Sequence, residues 1–116
     1  MADGDPERVV TDPDLMAVFN TAMVEVYQQA KRQAGYNAGY FLRMVSELGG
    51  YGAAQRLLHA ASVSDGFTAL WMKGRLDLSM EAVVLRDEFT ALFSDEEREI
   101  ARRRLAEYGY RPAGNG

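Results

Sequence analysis

The chain has 116 residues, 47% hydrophobic, 26% charged and 10% aromatic, with no Cys, a single His and a formal charge of −4. That length suits one domain, and its apolar content is enough to offset chain entropy, which excludes a long disordered polypeptide. The lack of Cys excludes disulfides, thiol nucleophiles and thiolate metal sites; no run approaches the ~20 apolar residues of a membrane span, and the acidic start MADGDPERVV is unlike a signal peptide, so a cytoplasmic protein is expected.

Residues 1–11 read as a disordered acidic leader. Asp12 before Pro13 is an N-cap followed by proline at the first helical position. Leu15, Val18, Phe19, Ala22, Met23, Val26 and Ala30 then form one apolar stripe that ends near Gly35. Asn37 is expected to cap a second helix with the stripe Tyr40, Phe41, Met44, Val45 and Leu48, stopped by Gly49-Gly50. A third helix over 51–60 buries Ala54, Leu57 and Leu58. Ser64 opens a short fourth one with Phe67, Leu70 and Trp71 inward, and Gly74 closes it. Ser79 caps a fifth, carrying Met80, Val83 and Val84, and residues 89–93 continue it or form a separate turn. Ser94-Asp95-Glu96-Glu97 is a capping box for a last helix that Gly109 closes. The strand-like alternatives, 8–11 and 83–85, are short. The expected fold is therefore all-α: a compact single-domain bundle of five or six helices over 12–110, with 111–116 a disordered tail.

The charge is arranged in blocks. Residues 1–14 carry five acids against one base, a net of −4. Residues 31–75 have six bases against two acids, net +4, and residues 76–97 have seven acids against one base, net −6. Such blocks suit a polar partner or self-association as well as they suit solvated helix faces.

Few residues point to chemistry. His59 ends the helix that holds Leu57 and Leu58, where the dipole favours it, and a contact with a ligand is the other reading. Asp77 and Glu81 are four apart and could share a face toward a divalent cation, although first-turn acids complementing the dipole explain them too. The string GGYG, residues 49–52, invites a phosphate loop but follows a helix and matches neither nucleotide motif. In the last helix Glu99 can pair with Arg103, and Glu107 with Arg104. No catalytic set, metal site or cofactor is expected.

Residues 49–76, GGYGAAQRLLHAASVSDGFTALWMKGRL, resemble a bacterial helix-turn-helix. That resemblance implies that Ala53 and Ala54 let two helices approach, that Ser64 and Asp65 open a recognition helix, and that Thr68 and Lys73 are polar readers. The turn HAASVS is longer than the usual pattern, and Phe67, Leu70, Trp71 and Met72 dominate the second helix. The succession GYNAGYFLRMVSELGG, SDGFTALW, GRLDLSMEAVVL and FSDEEREIARRRLAEYGY is similar to a small bacterial all-helical family to which no activity attaches. It implies one folding unit, shaped by segments that include Gly66, Phe67, Trp71, Leu76, Leu78, Glu81 and Leu85.

Six tyrosines cluster near expected helix ends, and tyrosine suits interfaces because it is apolar with one wet end. The expected function is a non-enzymatic helical interaction module, homo-oligomeric or docking on a partner subunit of a bacterial multi-component system, with Tyr40, Tyr51, Trp71, Met72, Arg98 and Arg102 at the contact. The alternative is DNA binding through Arg56, Ser64, Thr68, Lys73 and Arg75, and a small ligand carrier or enzyme using His59 with Asp77 and Glu81 comes third. No membrane partner is expected.

Overall fold

The computed structural model describes residues 12–110, and no strand occurs among them. The leader, the tail and the strand alternative at 8–11 lie outside the described residues, and 83–85 belongs to a helix and its cap. Helix α1, Pro13–Ala34, begins where Asp12 Oδ1 accepts from the Asp14 amide at 2.9 Å, and it ends at Gly35 in a left-handed cap with φ 68°. Phe19, Ala22, Met23, Val26 and Ala30 are buried, whereas Val18, at the margin of the stripe, stays exposed.

Helix α2, Gly39–Leu58, starts one residue too late for Asn37 to cap it; Ala38 takes that position and supplies no side-chain bond. Tyr40 and Leu48 are exposed, so only the centre of the expected stripe, Met44 and Val45, is buried. The expected stop at Gly49-Gly50 is present as a kink that divides two helical stretches within α2. Gly49 adopts φ 78° and ψ 164°, outside helical space, and the helix resumes at once. The resumed part is capped from a distance, because Asn20 Oδ1 of α1 accepts from the Gly50 amide at 2.7 Å. A side chain at Gly50 is excluded by the same contact: its Cβ would lie 2.7 Å from Asn20 Cα. Asn20 and Gly50 are 30 residues apart and lie symmetrically about the Gly35 turn, so α1 and α2 form an antiparallel hairpin.

Helix α3, Asp65–Met72, is capped by Ser64 Oγ, which accepts from the Phe67 amide at 3.1 Å. It ends in a Schellman motif at Gly74 (φ 71°), with Arg75 N on Leu70 O at 2.8 Å and Gly74 N on Trp71 O at 3.0 Å. A 3-10 turn, Leu76–Leu78, leads to Ser79, the N-cap of the short helix α4, Met80–Val84. Residues Asp87–Leu92 form a separate 3-10 helix. Helix α5, Asp95–Glu107, opens with the full Ser94–Glu97 capping box and closes with a second Schellman motif at Gly109.

Everything after the hairpin wraps its inner face. Phe19 lies at the centre, with the rings of Phe89 and Phe93 edge-on at 5.0 and 5.3 Å. Each such pair contributes about 0.5–1.5 kcal/mol beyond its area burial, which pins the 3-10 segment to α1. The result is an all-α single domain with one contiguous core. No helix among the described residues is long and apolar enough to cross a membrane.

Candidate functional site

The end of α2 is where charged side chains converge. Leu57 and Leu58 belong to its last turn, so their carbonyls have no partner within the helix. Arg104 of α5 supplies the donors. Its Nη1 donates to Leu57 O at 3.0 Å and to Glu81 Oε2 at 3.1 Å, while Nη2 donates to Leu58 O at 3.3 Å and Ala60 O at 3.0 Å. The planar guanidinium fork makes these four bonds at once, which a lysine cannot do.

Glu81 is only 2% exposed. Burial pushes its carboxyl above the ordinary carboxylate range, against the opposing pull of its own backbone amide and Arg104. Two turns before Arg104 on the same face of α5 sits Glu97. Its Oε1 accepts from the Ser94 amide at 3.0 Å, closing the capping box, and its Oε2 meets His59 Nε2 at 2.8 Å. An ionised carboxylate only accepts, so Nε2 carries the proton in this bond. Desolvation raises the Glu97 carboxyl, but the His59 and Ser94 hydrogen bonds outweigh it and hold the group below its ordinary value.

These contacts revise several expected roles. His59 is bound by a carboxylate of another helix instead of resting on its own helix dipole alone. Asp77 and Glu81 do not share a face: Asp77 lies in the 3-10 turn and takes Arg75 Nε at 2.9 Å, which lowers its carboxyl, while Glu81 turns inward to Arg104. Glu99 pairs with Arg102 instead of Arg103, and Arg104 reaches Glu81 instead of Glu107. The Gly50 amide is occupied by Asn20, so it is not offered to a phosphate. Among the described residues, no three His, Cys, Asp or Glu side chains group to hold a metal.

Beside this clasp lies a recess of about 510 Å³, between the C-terminal half of α1, the 35–38 connection, α2, the 59–64 connection, α3 and the start of α4. Val26, Met44, Phe67 and Leu70 form apolar walls, Tyr36 and Tyr40 stand among the aromatic residues that line it, and Ser79 and Glu81 are the polar groups contributed by the α4 end. His59 is not among its lining residues, so the one imidazole and the Glu81 carboxylate do not meet.

The expected contact residues fall into three places. Trp71 and Met72, 46% and 75% exposed, occupy the outer face of the last turn of α3, although Trp71 was expected inward. One edge of Trp71 does pack, on Tyr108 at 5.3 Å, and Tyr108 in turn meets Phe67 at 5.0 Å. The second face of α3, Phe67 and Leu70, already fills the core, which leaves Trp71 at its margin. Tyr40, 69% exposed, stands by the recess. Tyr51 is half-buried against Phe93 at 5.4 Å, and burial together with the nearby Glu97 raises its hydroxyl. Arg98 and Arg102 lie on α5 near His59 and pair with Asp95 (3.9 Å) and Glu99.

Of the alternative nucleic-acid set, Ser64 is used as an N-cap, Arg75 is held by Asp77 and Gln33, and Thr68 is half-buried; Arg56 and Lys73 are exposed. Sequence reasoning missed Glu97 and Arg104 as the long-range partners of His59 and Glu81. Their signal was present: both occupy buried-face positions of α5 with Ala101 and Leu105, seven residues apart, where an apolar residue would be expected. No family model, curated protein or solved structure matches the chain.

Proposed function

We propose that this is a cytoplasmic, non-enzymatic helical interaction module that self-associates through the outer face of α3. The observation that carries this reading is the adjacent exposure of Trp71 and Met72 on a helix whose inner face is fully used. Exposed apolar residues scattered singly need no explanation; a Trp and a Met side by side at a helix end favour a contact surface. Charge supports a second copy as the occupant. Five of the six bases of 31–75, Lys31, Arg32, Arg43, Arg56 and Lys73, are exposed, as are five of the seven acids of 76–97. One protomer thus offers both signs to another and fixes register by complementarity.

Light scattering of the full chain over a concentration series tests this reading. A dimer or higher species is expected, weakened by Trp71→Ser with Met72→Ser and shifted by salt. A monomer at the highest concentration, unchanged by the double substitution, would overturn self-association. DNA binding is the competing reading, resting on exposed Arg56 and Lys73, and anisotropy with a mixed-sequence duplex at low salt discriminates it. Salt-sensitive binding that weakens in Arg56→Ala and Lys73→Ala would favour DNA over the dimer.

A further inference from the structure

Helix α3 carries an apolar projection on one side and the wall of an apolar recess on the other. Leu70 lines the recess, whereas Met72, two residues on, points about 200° further around the helix. Trp71 falls between them, with one edge on Tyr108 at 5.3 Å. Neither Trp71 nor Met72 lines the recess of its own chain. That recess has apolar walls that include Val26, Phe41, Met44 and Val63. Its volume of about 510 Å³ lies within the ~300–1,000 Å³ of cavities that enclose a drug-sized body, so a Trp and a Met side chain fit.

The charges of the recess favour an uncharged occupant. Glu81 is met by Arg104, and the two other charged lining residues, Arg56 and Asp65, have opposite signs. The lining is neutral in sum, so an ion entering it would lose hydration with no net opposite charge in exchange. Apolar side chains incur no such cost and gain by leaving water.

The rims of the two places also correspond. Arg56 and Asp65 are exposed and join no ion pair among the described residues. Beside the projection, Lys73 follows Met72, and Glu107 precedes the Tyr108 on which Trp71 packs. These two are likewise exposed and without an ion-pair partner among the described residues. Each place thus presents one base and one acid, which a second copy can pair across the contact.

We propose that self-association is head-to-tail, with the Trp71–Met72 turn of one copy seated in the recess of the next. This inference rests on the self-association reading and supplies the second of its two surfaces. Projection and recess point in different directions, so one two-fold axis cannot satisfy both. The contact therefore repeats into a chain or ring instead of closing as a dimer.

Sedimentation velocity of the full chain and two variants tests it. Trp71→Ser with Met72→Ser removes the projection and keeps the recess. Ser62→Trp fills the recess from an exposed lining position and keeps the projection, and Ser62→Arg replaces it if its melting temperature falls. The wild type should grow beyond the dimer as concentration rises, while each variant alone should stay monomeric. An equimolar mixture of the two variants should form one species of twice the chain mass, because it contains only one competent projection and one open recess. A wild type that stops at the dimer, a filled recess that leaves association intact, or a mixture that stays monomeric would overturn the head-to-tail contact and leave self-association standing. A wild type that is monomeric at every concentration would instead overturn the reading beneath it.

Discussion

Helices α2 and α3 end at Leu58 and Met72 and solve the same problem in opposite ways. The carbonyls at the end of α2 are satisfied by Arg104, from a helix 44–47 residues further along the chain. Those at the end of α3 are satisfied locally, by the amides of Gly74 and Arg75. The first solution makes the end of α2 part of the fold, because the Leu57 and Leu58 carbonyls reach a donor of α5. The second leaves the last turn of α3 free of any such obligation, and its side chains Trp71 and Met72 face outward. Long-range satisfaction ties the end of α2 to α5, whereas local satisfaction at the end of α3 goes with exposed Trp71 and Met72 side chains.

The contrast is broken most severely by removing Arg104. Arg104→Met keeps the aliphatic bulk but leaves the buried Glu81 without its cation and takes a donor from the Leu58 carbonyl, and breaking a buried ion pair from one side costs about 3–5 kcal/mol. Against a typical domain stability of ~5–15 kcal/mol this is a large fraction, and urea denaturation at pH 7 should show it. The penalty has a pH signature. Because the Glu81 carboxyl is raised in the folded protein, its ionisation opposes folding: stability is fully present below the unfolded value of ~4.3 and falls as pH rises. The variant should therefore recover part of its loss in acid, where Glu81 is protonated.

Gly50→Ala tests the hairpin on which both helix ends are mounted. The new Cβ would meet backbone, Asn20 Cα at 2.7 Å, instead of a side chain that could move aside. Overpacking of this kind costs about 1–3 kcal/mol, measurable as a lower denaturation midpoint with little change in slope.

Glu97→Gln is a milder probe of the same clasp, with a cost of about 1 kcal/mol at pH 7, reduced because His59 is 57% exposed and partly screened. Its pH dependence has the opposite sign to that of Glu81. The folded carboxyl is held below its unfolded value of ~4.3, so its contribution is complete above that value and is lost as pH falls through the folded one. Thermal melts of the wild type and the variant should differ at pH 7 and converge near pH 3.

What could be read from the sequence divides along the same line. The N-caps at Asp12, Ser64, Ser79 and Ser94, the Gly74 and Gly109 stops and the Gly49 break were all legible, because each is a contact within a few residues. Asn37 was misplaced by one residue, a difference that an isolated capping residue without a reciprocal partner does not settle. The clasp was not legible as a clasp. His59 and Glu97 are 38 residues apart and Arg104 and Glu81 are 23 apart, while the Arg-rich α5 offers nearer acids at the usual helical spacings. Glu81 lies inside the apolar run MEAVVL, which hints at burial but does not say which of several arginines would reach it. The recess was still less legible, since it is assembled from six segments whose spacing only the folded chain defines.

The smallest effect on stability sharpens the comparison most. Met72 is 75% exposed and takes part in neither the core nor the α3 cap, so Met72→Ser should move the free energy of unfolding by no more than about 0.5 kcal/mol. If the last turn of α3 is a contact surface, the same substitution should weaken self-association, because a side chain at a contact contributes by being buried there even when it contributes nothing to the isolated fold. The two measurements thus part company at Met72, with stability held and association reduced. At Arg104 they fall together, because a domain that does not hold the end of α2 cannot present α3. Sedimentation and denaturation on both variants separate the cases. A Met72→Ser protein that associates as tightly as the wild type would show that the exposed turn of α3 is surface and nothing more.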